Sequence, residues 1–141
     1  VIVREERLLV QHKLYASGEH RYVLPGGAPD EGETLMDGLQ RECEEEIGTR
    51  VNVVDLLHVA DYFKPRETDP PTRRQQVEFL FRCQVPDNYE AGNGPRPDKH
   101  QVDVIWVPLD GVPTSPIFPP SLKEVLSARR PATSVYLGLI D

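Results

Sequence analysis

The stretch RECEEEIG, Arg41 to Gly48, decides how this chain is read. It closes an apolar-periodic run that begins at Thr34 and predicts a helix over 34–47. Three consecutive glutamates, Glu44 to Glu46, then fall in the last turn. Negative charge there opposes the helix dipole, and like charges crowded on one turn repel. Thr34 can cap the start, Asp37 completes an approximate capping box, and Gly48 suits the left-handed end. At about 100° per residue, Leu35, Met36, Leu39, Cys43 and Ile47 form one arc facing a core. Glu44 points away from it. Glu42, Glu45 and Glu46 share a patch at the arc's edge, with Glu46 between Leu35 and Leu39 in projection. A carboxylate placed there needs a cation or a raised pKa. The i, i+3, i+4 spacing aims three carboxylates at one point, as a hard divalent ion requires. An acidic, solvated helix face is the competing reading.

The flanking segments are rich in strands. VIVREERLLVQHK reads as two short strands around a charged turn at Arg4 to Glu6, and HRYVLPGG as a strand ended by Pro25-Gly26-Gly27. RVNVVDLLHVADYFK and QQVEFLFRCQV read as strands joined by the hairpin loop PRETDPPTRR. NYEAGNGPRPDKH is a second loop, followed by a strand in QVDVIWVPL. PPSLKEVLSARR predicts a short helix capped by Ser121, and TSVYLGLI a last strand. Few helices among many strands in mixed order suggest α/β architecture, an α/β/α sandwich around a mixed β-sheet.

A chain of 141 residues with 38% hydrophobic and 28% charged residues suits one compact, soluble domain over 1–141. No apolar run approaches the ~20 residues of a membrane span, and the first residues do not read as a signal peptide. A net charge of −7 argues against a general nucleic-acid surface, though not against a phosphate substrate, since a bound cation reverses the local sign. Cys43 and Cys83 lack metal-ligand spacing and read as a reduced, cytoplasmic pair.

Gly27, Glu33, and Arg41-Glu42 followed by Glu45-Glu46 and Gly48 stand at the spacing of the Nudix box, preceded by Leu24-Pro25-Gly26. The segment resembles that of the MutT-like Nudix hydrolases, with Cys43 and Thr49 standing where the family usually has large aliphatics. The resemblance implies a Nudix fold with a catalytic loop–helix–loop. It also implies Mg²⁺- or Mn²⁺-dependent hydrolysis of a nucleoside diphosphate linked to another group. Carried over by position, Glu42, Glu45 and Glu46 become metal ligands with the carbonyl of Gly26. Arg41 and Glu33 become the pair that steadies the helix, and Glu45 or Glu42 the acceptor of a water's proton. Substrates in this class include ADP-ribose, nucleoside triphosphates, nucleotide sugars and dinucleoside polyphosphates. Pro65, 16 residues after Thr49, is similar to a proline of the ADP-ribose pyrophosphatase subgroup, and also simply ends a strand. A non-catalytic nucleotide-binding or sensor module is the alternative, but such modules usually lose box carboxylates, and here all are present.

Outside the box, Asp103 is either a distal acid of the site or the solvent side of a strand, and Asp98 and His100 stand nearby. Glu78 is either exposed or substrate-facing. Arg74, with Lys64, Arg66 and Arg73, either clamps phosphates or sits in a solvated loop. Tyr15, Tyr22, Tyr62 and Phe63 either stack on a base or pack in the core. The expected partner is a small nucleotide-type molecule, with no stable nucleic-acid partner, no membrane, and room for a homodimer.

Overall fold

The computed structural model describes residues 1–127 and 134–141. Strand β1 (Val3–Arg4) turns into β2 (Arg7–Leu14) through Glu5 and Glu6, whose φ values of 51° and 59° are those of a tight hairpin turn. β3 (His20–Val23) leads to α1 (Leu35–Ile47), then β4 (Asn52–Arg66), β5 (Thr72–Gln84) and β6 (Gln101–Pro108). A 3₁₀ turn at Leu109–Thr114, α2 (Leu122–Ser127) and β7 (Tyr136–Ile140) complete the described chain. The expected helix end at 128–130 and the strand start at 133 lie outside the described residues.

The strands form two sheets. In the first, β2 pairs antiparallel with β6 on one side and with β1 and β3 on the other. In the second, β4 lies between antiparallel β5 and parallel β7, so β7 makes this sheet mixed. A parallel bridge between Ile2 and Cys83 joins the two. The alternation of β2 sends its side chains to two cores. Leu9 packs with Cys43 and Ile47 of α1 and with Val51, Cys83 and Val104. Leu8 and Val10 pack with Leu122 and Leu126 of α2 and with Ala60, Leu80 and Ile140. Helices on opposite faces of the strands give an α/β architecture.

Three sequence expectations need correction. The β4–β5 hairpin is longer than expected, because Lys64–Arg66 pair with Arg74–Thr72 and only 67–71 form its loop. The apolar arc of α1 is buried only toward its C-terminus: Leu35 and Met36 remain 40% and 49% exposed. The Ser121 hydroxyl accepts a bond from the Asp141 N–H, tying the end of the chain to the start of α2.

Candidate active site

Local chemistry fixes α1. The Asp37 N–H donates to the Thr34 hydroxyl at 3.1 Å and the Thr34 N–H to the Asp37 carboxylate at 3.3 Å, completing the capping box. Gly48 ends the helix at φ 77°. The loop between β5 and β6 then serves the C-terminal carbonyls. The Gly94 N–H donates to Glu46 O at 3.0 Å, the Arg96 N–H to Glu45 O at 2.8 Å, and the Tyr89 hydroxyl to Ile47 O at 2.7 Å. The Gln101 amide adds a bond to Glu46 O at 2.8 Å. These donors occupy the carbonyls of Glu45, Glu46 and Ile47, which the helix itself leaves open.

Glu46 is 3% exposed, as its helical position demands. One oxygen accepts the Gly26 N–H at 3.1 Å and also the Gln11 side-chain amide. Burial pushes its carboxyl up to about 8; the Gly26 N–H pulls down against this, and the neighbouring Glu42 carboxylate pushes further up. Arg41 organises the other acids. Its guanidinium donates to Glu33 at 2.9 Å through Nε and 3.0 Å through Nη2, and to Glu42 and Glu45 through Nη1 at 3.1 and 3.4 Å. The Arg41 bonds, then the Asp30 N–H, hold the Glu33 carboxyl below its ordinary value. Glu42 leans over Gly27, where an added Cβ would lie 2.7 Å from its carboxyl carbon. The structure therefore brings Glu33, Arg41, Glu42, Glu45, Glu46 and Gly26 into one cluster.

Among the described residues, no three side chains of the metal-ligating types form a preassembled cage. The Arg41 contacts supply the physical reason: one guanidinium nitrogen is shared by Glu42 and Glu45, while Glu46 is turned toward Gln11. The donor chemistry nevertheless fits a hard divalent ion, because every anionic group present is a carboxylate. The close approach of Glu42 to the bare Cα of Gly27, and a buried Gln11 Oε1 without a partner, fit the same kind of guest.

The cluster borders a cavity of about 610 Å³ lined by Gln11, Lys13, Arg21, Gly26, Tyr62 and Glu78, among others. A second hollow of about 480 Å³ lies between α1 and β5. Glu78 and Lys64 line both, and Arg74 lines the second. Burial pushes the Glu78 carboxyl up, with Lys64 opposing. Asp103 is not brought to the cluster: it is exposed on β6 opposite His12 and accepts the Val104 N–H. Asp98 does line the larger cavity and pairs with Lys13 at 2.6 Å. Burial disfavours its charge, but the Lys13 ammonium prevails and holds its carboxyl below the ordinary value. Tyr15 and Tyr62 line the larger cavity, whereas Tyr22 packs against the α2 core and Phe63 stands partly exposed on β4. His100 is an exposed loop residue stacked on Tyr15.

Gln11, Gln101 and Gly94 are the site's neighbours that sequence reasoning missed. Gln11 carried a signal, since it extends the Leu8-Leu9-Val10 run and is 1% exposed. Gly94 and Gln101 carried none, because the Glu46 carbonyl that both serve lies 48 and 55 positions away.

The family model for the NUDIX domain matches residues 1–128, and the chain belongs to that family. Family members generally use divalent metal ions and act on small nucleotide-type substrates. The chain is 32% identical over 109 residues to an RNA pyrophosphohydrolase of Psychrobacter cryohalolentis, covering 67% of this chain and 62% of that one. It is 28% identical over 103 residues to an RNA pyrophosphohydrolase of Francisella tularensis subsp. mediasiatica, covering 64% and 66%. Thus it spans less than two-thirds of the length of either relative. A crystal structure of a NUDIX hydrolase from Nitrosomonas europaea superposes with a TM-score of 0.69 at 24% identity, covering 99% of this chain and 74% of that one, which supports the fold.

Proposed function

We propose that residues 1–141 form one hydrolase domain that cleaves a pyrophosphate bond in a nucleoside diphosphate linked to another group, using Mg²⁺ or Mn²⁺. The observation that carries this reading is that Glu46 and Glu42 meet the Gly26-Gly27 turn and Arg41 ties Glu42 to Glu45, with Gly26 lining a cavity of about 610 Å³.

Glu42, Glu45 and Glu46 would hold the ion, with Gly26 contributing its backbone. When bound, the ion offsets the negative charge of the anhydride and lowers the pKa of an attacking water. The chain's own groups do the rest. Glu46 is fixed from two sides by the Gly26 N–H and the Gln11 amide, so its carboxylate does not have to be ordered at each turnover. Glu33 holds Arg41, and Arg41 gathers Glu42 and Glu45 until an ion takes their carboxylates. Glu45 or Glu42 accepts the proton released as water attacks phosphorus. Lys64, Arg74 and Glu78 contact the substrate from the β4–β5 wall. Asp103, exposed on β6, stays outside this reading.

The substrate belongs to the nucleotide class that includes ADP-ribose, nucleoside triphosphates, nucleotide sugars and dinucleoside polyphosphates, and the two relatives are named for RNA. The expected setting is cytoplasmic, in keeping with two free buried cysteines, and a homodimer is the only macromolecular contact the reading includes. Among the described residues no helix is long and apolar enough to cross a membrane. The test is release of nucleoside monophosphate or phosphate from a panel of these compounds, with Mg²⁺ and with chelator. Mg²⁺-dependent release from at least one is expected; none from any would reject the hydrolase in favour of a binding module.

A further inference from the structure

Gln11 is a polar residue in an apolar layer. It follows Leu8, Leu9 and Val10 in β2, all fully buried, and is itself buried. Its neighbours across the sheet are Val23 on β3 and Val104 on β6, whose side chains form no hydrogen bonds. The alternation of β2 places Gln11 on the face of Leu9, toward α1, and the residue also lines the larger cavity. A leucine there would continue the core at lower cost. The side-chain amide has one evident use, a bond to the Glu46 carboxylate. The side-chain carbonyl oxygen has none. Among the described residues it is the one buried side-chain nitrogen or oxygen atom without a hydrogen-bond partner. A buried acceptor left open costs stability, and native proteins rarely keep one without a use.

The donors around Glu46 are already engaged. The Gly26 N–H donates to the Glu46 carboxylate at 3.1 Å. The Gln101 amide donates to Glu46 O at 2.8 Å and to Asn93 Oδ1 at 2.9 Å, and Lys13 Nζ donates to Asp98 at 2.6 Å. The missing donor therefore comes from a guest small enough to reach an enclosed oxygen, which is a water. Water beside a divalent cation is a stronger donor than bulk water, and a hard ion such as Mg²⁺ keeps several waters. We infer that Gln11 is a positioning residue of the ion site: its amide orients Glu46, and its carbonyl oxygen accepts a hydrogen bond from a water that accompanies the ion. The inference rests on the hydrolase reading above and adds to it a use for the second end of Gln11. A neutral amide suits both tasks. It offers a donor to an acid and an acceptor to a water, without adding a fourth carboxylate to three that already repel one another.

The experiment is calorimetric Mn²⁺ binding to wild type, Gln11→Met, Glu46→Gln and the double variant. Methionine fills nearly the same volume and removes both polar ends; Gln11→Leu replaces it as the probe where circular dichroism shows Gln11→Met to be unfolded. Gln11→Met is expected to weaken Mn²⁺ binding about 10- to 100-fold. Added to Glu46→Gln, it is expected to weaken binding at least about threefold further. Wild-type affinity in Gln11→Met, with or without a lower melting temperature in chelator, would leave Gln11 at most a structural residue and overturn the inference. So would a Gln11→Met effect that vanishes in the Glu46→Gln background, since only the amide contact would then matter. Water-proton relaxation by bound Mn²⁺ counts the waters on the ion. An equal count in wild type and Gln11→Met is expected; one more water in the variant would make Gln11 a direct ligand and overturn the positioning role. Glu46→Gln separates the two claims. If it binds Mn²⁺ as wild type does, or if wild type binds none, the carboxylate cluster is not the ion site and the hydrolase reading falls with the inference. If it binds weakly while Gln11→Met binds as wild type does, only the role of Gln11 falls.

Discussion

Glu46 is an acid buried where a hydrophobic side chain would cost less, and its behaviour follows from that position. In protein stripped of divalent ions its carboxyl titrates at about 8 when folded, against an ordinary value of 4.5. Across that window the folded state keeps a proton that the unfolded state has released. Stability of the stripped protein therefore falls as pH rises from about 4.5 to about 8. Urea unfolding at several pH values with chelator should show that slope in wild type and a flatter one in Glu46→Gln. Gly27 gives a second prediction at this scale. A methyl group there would meet the Glu42 carboxylate at 2.7 Å, so Gly27→Ala should lower turnover more than about tenfold. The fold should survive, because the displaced atoms are the end of a flexible side chain; circular dichroism and steady-state rates check the two halves. Removing the Arg41 anchor with Glu33→Gln should weaken Mn²⁺ binding about 10- to 100-fold, read by calorimetry. The burial of Glu46 was legible because a helix has one period. Its partner Gln11 was legible only as an oddly polar residue in an apolar run.

At the scale of elements, α1 shows which features are local. Its caps, Thr34 with Asp37 and Gly48, could be read from the sequence because their partners lie within a turn. The exposure of Leu35 and Met36 could not, since burial depends on how distant elements pack. The limits of the β4–β5 hairpin were also illegible: Pro65 and the charges around it look like a loop, yet cross-strand pairing continues to Arg66 and Thr72. The other end of α1 depends on a distant loop. Gly94 lies so close that a Cβ would sit 2.4 Å from Glu45 O and 2.6 Å from Gly48 N, both backbone atoms that cannot swing aside. Gly94→Ala should destabilise the protein by about 1–3 kcal/mol in chemical denaturation, and should raise the metal concentration needed for activity. A destabilised variant with unchanged metal dependence would show that the loop supports the helix without setting its carboxylates.

For the whole molecule, the α/β class followed from strand and helix order, while the division into two sheets joined at Ile2 and Cys83 did not. Long-range pairing decides that division, and no local propensity encodes it. The consequence for function is spatial. The two sheets and α1 leave two hollows that both reach Gly26, whose N–H holds Glu46. The account's central claim is that the three acids close on a divalent ion at this meeting point. The most direct measurement is the anomalous diffraction of crystals soaked in Mn²⁺. The account predicts a manganese peak contacted by the carboxylates of Glu42, Glu45 and Glu46, with Arg41 still held by Glu33. Soaked crystals with no peak at that position, and with the Arg41 contacts to Glu42 and Glu45 intact, would contradict it.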